Sequence, residues 1–208
     1  TGSAVPADTN KIHHTGTGRF AWMTMRTMSL YESEESTGEV SLSELFNKPN
    51  LDIFGTNHLN IDSIAWLICR GGWPRATTID KEVALDMAYR YYEAVVNNDI
   101  SRVDHVQRDT ERTKRILRSI ARNQCAQISV NTICADIENN DTVAANRLTI
   151  ASYIEALKKI FVLEDSLAWN PNLRSKTAIR SSETRYFSDP SIGAAALGVG
   201  PNDLINDL

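Results

Sequence analysis

The run TIASYIEALKKIFVLEDS, Thr149–Ser166, changes period half-way, and that change decides the fold class. Ile150, Tyr153, Ile154, Leu157 and Ile160 recur at spacings of three and four, the stripe of a helix with one buried face. Lys158 and Lys159 close it, where cations meet the negative end of the helix dipole. Phe161-Val162-Leu163-Glu164-Asp165 then enters a strand, and Arg185-Tyr186-Phe187 gives another. Upstream, a helix from Glu111 to about Ala126 buries Ile116, Leu117 and Ile120, Ser129–Ile137 makes a short second helix, and Asn139–Asn146 reads as a polar turn. Three helices followed by a two-stranded element outline a winged helix over Thr110–Asp189. No internal repeat is visible.

Toward the N-terminus the signals are shorter. In FAWMTMRTMSL, Phe20–Leu30, Phe20, Trp22, Thr24, Arg26 and Met28 alternate with Ala21, Met23, Met25 and Thr27, which predicts a sandwiched strand with large side chains on both faces. YESEESTGE follows with Glu32, Glu34, Glu35 and Glu39 and no base, the pattern of a solvated loop. Ser41–Phe46 reads as a short helix capped by Ser41, with Glu44 at its third position and a break at Asn47–Asn50. Asp62–Arg70 is a helix with Ile61, Ile64, Ala65 and Ile68 on one face, ended by Gly71-Gly72. Ile79–Val96 is a long helical segment, Ile100-Ser101 opens a linker, and Asn202–Leu208 is helix-like. The fold class is therefore mainly α: a remnant α/β strand, a helical middle, and a winged helix.

Bulk properties bound the function. The chain has 208 residues, 42% of them hydrophobic and 23% charged, enough for one domain or two small ones with real cores. A net charge of −4 gives no global electrostatic pull toward nucleic acid. Cys69, Cys125 and Cys134 form no C-x-x-C pair, and His13, His14, His58 and His105 lack metal-ligand spacing. The sequence contains no apolar run long enough for a membrane span and no signal peptide, so the expectation is a soluble cytoplasmic protein with no membrane partner. HHTGTGRF, His13–Phe20, has the glycines of a phosphate loop but neither the Gly-Lys-Ser/Thr ending nor the dinucleotide spacing, and reads as a turn. The chain shows no nucleophile elbow, H-E-x-x-H or paired catalytic carboxylates.

The runs GRFAWMTMRTMSLYESEESTGEVSLSELF, CRGGWPRA, ILRSIARN, TIASYIEALKKIFVLEDSLAWNP and LRSKTAIRSSETRYFSDPSIGAAALG resemble a large family of bacterial and archaeal ATPases. These pair an N-terminal AAA-type nucleotide-binding domain with a C-terminal domain of unknown function. The resemblance implies residues 1–46 as the end of the AAA-type domain, 47–108 as a helical lid or linker, and 109–208 as the winged-helix start of the C-terminal domain. A nuclease-like region follows in such proteins. It implies that Thr1-Gly2-Ser3 is the polar end of a central strand, with Thr1 and Ser3 polarising the attacking water, and that Arg19 stabilises charge on the phosphates. ATP and Mg then belong to the full-length protein, and the segment in hand, lacking the Walker motifs, binds no cofactor and is inactive. A binding isotherm for Mg-ATP is not expected.

Two further sets of residues come from the sequence itself. Arg70-Gly71-Gly72-Trp73-Pro74-Arg75 is a helix stop, with Arg70 and Arg75 as candidates for facing a nucleotide or a partner. Arg108, Arg112, Lys114, Arg115, Arg118 and Arg122 form a basic cluster, and Arg174, Lys176, Arg180 and Arg185 a second. Asn146, Arg147, Thr149 and Ser152 open the third helix as a DNA-reading helix does, Arg147 suited to guanine and Asn146 to adenine. Arg112, Arg115, Arg118, Asn146, Arg147 and Thr149 are thus the nucleic-acid candidates. Winged helices also serve as protein-binding and dimerising modules, so a homodimer or protein partner stands beside DNA.

Overall fold

The computed structural model describes residues 23–48, 50, 52–138, 146–170 and 182–206. In chain order the elements are α1 (Leu42–Asn47), α2 (Ile61–Arg70), a 3-10 turn (Pro74–Thr77), α3 (Lys81–Ala94), a π-helical turn (Val95–Asp99) and α4 (Ile100–Arg102). Then follow α5 (Thr110–Arg122), α6 (Val130–Glu138), α7 (Arg147–Lys159), β1 (Leu163–Ser166), β2 (Thr184–Phe187), α8 (Pro190–Leu197) and α9 (Pro201–Asn206).

Short polar side chains set the helix starts, because each replaces a partner that the first turn lacks. Asn60 accepts from the Ser63 N–H at 2.8 Å, Asp109 from Arg112 at 2.6 Å, Asn146 from Leu148 at 2.9 Å and Asp189 from Ser191 at 2.9 Å. Asp189 is followed by Pro190 at the first helical position, where proline loses no hydrogen bond.

One buried cluster holds these elements together. Ile116, Leu117 and Ile120 of α5 meet Ile133 and Ile137 of α6 and Ile150, Ile154 and Leu157 of α7. Val95, Val96 and Ile100 join them from the end of α3, as do Leu163, Phe187 and Ile192 from the sheet and α8. The cluster runs from Tyr92 to Ala196 and so crosses residue 108. Each such side chain contributes about 1.5–3 kcal/mol when fully buried. α8, rich in alanine, packs closely on α2, α3 and α5.

The sheet is small. β1 and β2 pair antiparallel with Leu163 opposite Phe187 and Asp165 opposite Arg185. On the far side of β2 the Arg185 N–H donates to the Ala126 carbonyl at 3.2 Å, a single bridge that gives the order Ala126–β2–β1. Asp165 receives Arg185 at 2.7 and 3.0 Å and Lys158 at 3.1 Å. Burial disfavours the Asp165 carboxylate, but these hydrogen bonds and the Arg185 charge outweigh it and hold the group down to about 2.

Three expectations need correction. Met23–Ser29 form no strand, and Met23 is 92% exposed. A strand needs a neighbour's edge, and among the described residues of this stretch only Met28 bonds to distant backbone, donating to the Gly72 carbonyl at 2.7 Å; Phe20–Trp22 lie outside the described residues. Ile100 does not open a linker: the helix continues through a widened turn, and Ile100 is fully buried. On the face of α2 expected to carry Ile61, Ile64, Ala65 and Ile68, Ala65 is buried and the three isoleucines are exposed. The first helix of the three-helix unit stops at Arg122, short of Ala126, where Cys125 takes a positive φ of 62°. Among the described residues no helix is long and apolar enough to cross a membrane.

Candidate functional site

Two stretches distant in sequence, Arg70–Trp73 and Asp189–Ser191, meet in one buried polar knot. α2 ends at Gly71 with a φ of 71°, a conformation that favours glycine, and a Cβ there would strike the Asp189 carboxylate. The Gly72 N–H donates to Asp189 Oδ2 at 2.8 Å, and the Ser191 hydroxyl donates to Asp189 Oδ1 at 2.5 Å. The Trp73 indole N–H in turn donates to the Ser191 hydroxyl at 3.0 Å, and its ring lies 4.6 Å from that of Tyr91. Every donor is spoken for, and the described histidines His58 and His105 are exposed elsewhere. The group against the Ser191 hydroxyl is the Asp189 carboxylate, whose other oxygen is held by the Gly72 N–H. The knot ties the end of α2 to the start of α8.

A strap, residues 23–60, crosses this knot. Arg26 grips Glu164 of β1 through Nε and Nη2 at 2.8–3.0 Å. Glu35 pairs with Arg70, whose guanidinium is also 5.3 Å from the Trp66 ring centre and donates to the Gly71 carbonyl at 2.9 Å. Arg70 is only 2% exposed. Burial opposes the Glu35 carboxylate, yet the Arg70 and Ser33 hydrogen bonds keep it below the usual range. Arg70 is therefore committed inside the protein, while Arg75 is exposed on the 3-10 turn. The loop Tyr31–Glu39 is only partly the solvated loop expected: Glu35 is half-buried, and Glu39 accepts from the Thr56 N–H at 2.8 Å.

Two cavities flank α2. One of 230 Å³ is lined by Cys69, Leu85, Tyr89 and Ala194; burial, with Asp203 nearby, pushes the Cys69 thiol up to about 11, so it carries no thiolate at neutral pH. The other, a groove of 470 Å³, has Glu35 and Asp62 on its walls, Trp66, Leu59 and Ile205 as apolar lining, and Lys81 at 5.4 Å from the Trp66 ring centre. Among the described residues no three His, Cys, Asp or Glu side chains are placed to hold a metal ion.

The nucleic-acid candidates are split. Asn146 and Arg147 are exposed at the start of α7, Thr149 is half-buried, and Leu148 between them is 77% exposed. On α5, Arg118 and Arg122 are exposed, whereas Arg112 and Arg115 are half-buried. Arg112 Nε is buried without a partner among the described residues. Arg108 is buried on Asp104 at 2.6 and 2.7 Å, and Arg185 and Lys158 are engaged by Asp165. Thr1, Ser3, Arg19, Arg174, Lys176 and Arg180 lie outside the described residues.

Asp189, Ser191, Glu35 and Trp66 were not among the sequence candidates. Only the first pair had a local signal, since Asp-Pro-Ser is a helix-start pattern; the Glu35–Arg70 contact spans 35 residues and leaves none.

A family model described as a domain of unknown function, DUF8612, matches residues 61–203. The chain belongs to that family. The DUF8612 region opens on the first residue of α2 and closes within α9, so it takes in the whole knot and the three-helix unit but not the strap. Acidic and basic side chains balance within it, and the net charge of −4 falls outside. No curated protein matches the chain, and no solved structure does.

Proposed function

We propose that the DUF8612 domain is a winged-helix-type module that binds protein and performs no chemistry of its own. The sheet order Ala126–β2–β1 behind α5, α6 and α7 carries this reading, because a winged helix returns its wing onto a strand segment placed between its first two helices. Protein is favoured over DNA by the surface of α7: Leu148 stands exposed beside Arg147, and Glu155 follows on an exposed position that a phosphate backbone would repel. In line with the resemblance, the module serves as the coupling part of an AAA-type ATPase, with ATP and Mg held in its nucleotide domain. The groove beside Arg70 is lined by Glu35 and Asp62 as well as Lys81 and Trp66, and its two carboxylates weigh against a triphosphate there.

Fluorescence anisotropy with a mixed duplex pool at low salt tests the choice of partner. No change up to tens of micromolar protein is expected. A second reading, DNA contact through α7, is favoured by the exposed Asn146, Arg147, Arg118 and Arg122. It requires steeply salt-dependent binding whose sequence preference relaxes in Arg147→Ala. Calorimetry with Mg-ATP should give no micromolar isotherm.

A further inference from the structure

α2 is packed against α3, α8 and α9, yet Ile61, Ile64 and Ile68 stand exposed on it at the three-and-four spacing of a single seam. The strap that leads into α2 exposes apolar side chains too. Phe54 is 83% exposed, and Val40, which approaches Gly55, is exposed as well. Among the described residues of the strap none is buried. Burial of apolar surface is worth about 25 cal/mol per Å², so a regular seam of branched side chains in water is a surface built for a cover.

Charge selects the cover. Glu32, Glu34, Glu35, Glu39, Glu44 and Asp52 crowd the strap, and its two described bases, Arg26 and Lys48, are paired with Glu164 and Glu44. The Glu35–Arg70 pair ties this acidic strap to the end of α2, and Glu35 and Asp62 share the wall of the 470 Å³ groove. A second copy laid seam to seam would set these acids against themselves, and a nucleic acid would be repelled outright.

We propose that the α2 seam and the strap dock a basic amphipathic helix of a protein partner. Its apolar stripe covers Ile61, Ile64, Ile68 and Phe54, and its Lys or Arg flanks face the strap's carboxylates. This rests on the protein-binding reading of the domain but uses a face separate from α7, so the two fail separately.

The whole chain is titrated against a labelled helical peptide of leucine and lysine with one leucine stripe, and against the same peptide with glutamate for lysine. Binding of the lysine peptide alone is expected, weakened about tenfold or more by Ile64→Asp with Ile68→Asp, and several-fold with a flatter salt dependence by Glu34→Gln with Asp52→Asn. These positions are exposed, so unchanged thermal melting of the variants confirms that the fold is intact. Equal binding of both peptides, or wild-type affinity in the isoleucine variant, overturns the proposal. So does a dimer in sedimentation that Ile64→Asp converts to monomer, which would give the seam to a second copy. Duplex DNA binding lost in Arg147→Ala would instead overturn the reading of α7.

Discussion

α7 and α2 carry the same kind of stripe and meet opposite fates. In α7, Ile150, Tyr153, Ile154 and Leu157 are buried against α6, α5 and the sheet. In α2, Ile61, Ile64 and Ile68 face out, and the helix is held by its flanks, Ala65, Leu67 and Cys69, and by the knot at its end. Periodicity therefore identifies a helix and its apolar face, but not whether this chain covers that face.

The sharpest contrast comes from deletion of side chains. Leu157→Ala should cost about 2–5 kcal/mol in a denaturant melt, because it opens a cavity in a fully buried site. Ile64→Ala should stay within about 0.5 kcal/mol. Comparable losses at both positions would erase the distinction.

Next in size is Asp165→Asn, expected to cost about 3 kcal/mol by stranding Arg185, which is itself half-buried. Its folded carboxyl, at about 2, lies below the usual value of about 3.9. Its contribution is thus complete above roughly pH 4 and is lost as pH falls from there through 2. The asparagine variant should flatten the melting temperature over that window, and an unchanged slope would remove Asp165 from the account.

How far the sequence was legible follows the same division. The three-helix unit could be read because Ile116, Leu117, Ile120 and the α7 stripe obey a period set by a core that lies within the chain. Met23–Ser29 misled because alternation describes a strand only where a neighbouring edge exists, and of these residues Met28 alone meets one, at Gly72. Arg70 was legible as the end of a helix, but not as Glu35's partner, since long-range ion pairs have no local pattern. Arg147 and Asn146 lie as expected at the start of a helix, and that start is exposed, while Arg185 was not free, because Asp165 stands directly opposite it across the sheet.

A smaller effect probes the strap. A Cβ at Gly72 would run into the Met28 carbonyl, so Gly72→Ala should free the strap near Met28. Faster amide exchange is expected at Met28 and Glu35, whose N–H groups are bonded at 2.7 and 2.9 Å, with little change in α7. Equally faster exchange in α7 would show that the two regions are one cooperative unit.

Hydrogen exchange on the unaltered chain tests most directly the claim that a closed domain carries an open docking surface. Amides of α5 and α7 should exchange only with global unfolding, while those of residues 23–29, 37–40 and 52–58 exchange far faster under the same conditions. Protection in the strap equal to that of Ile150–Leu157 would contradict the account, because it would mean that the strap and the α2 seam already share the core's cover.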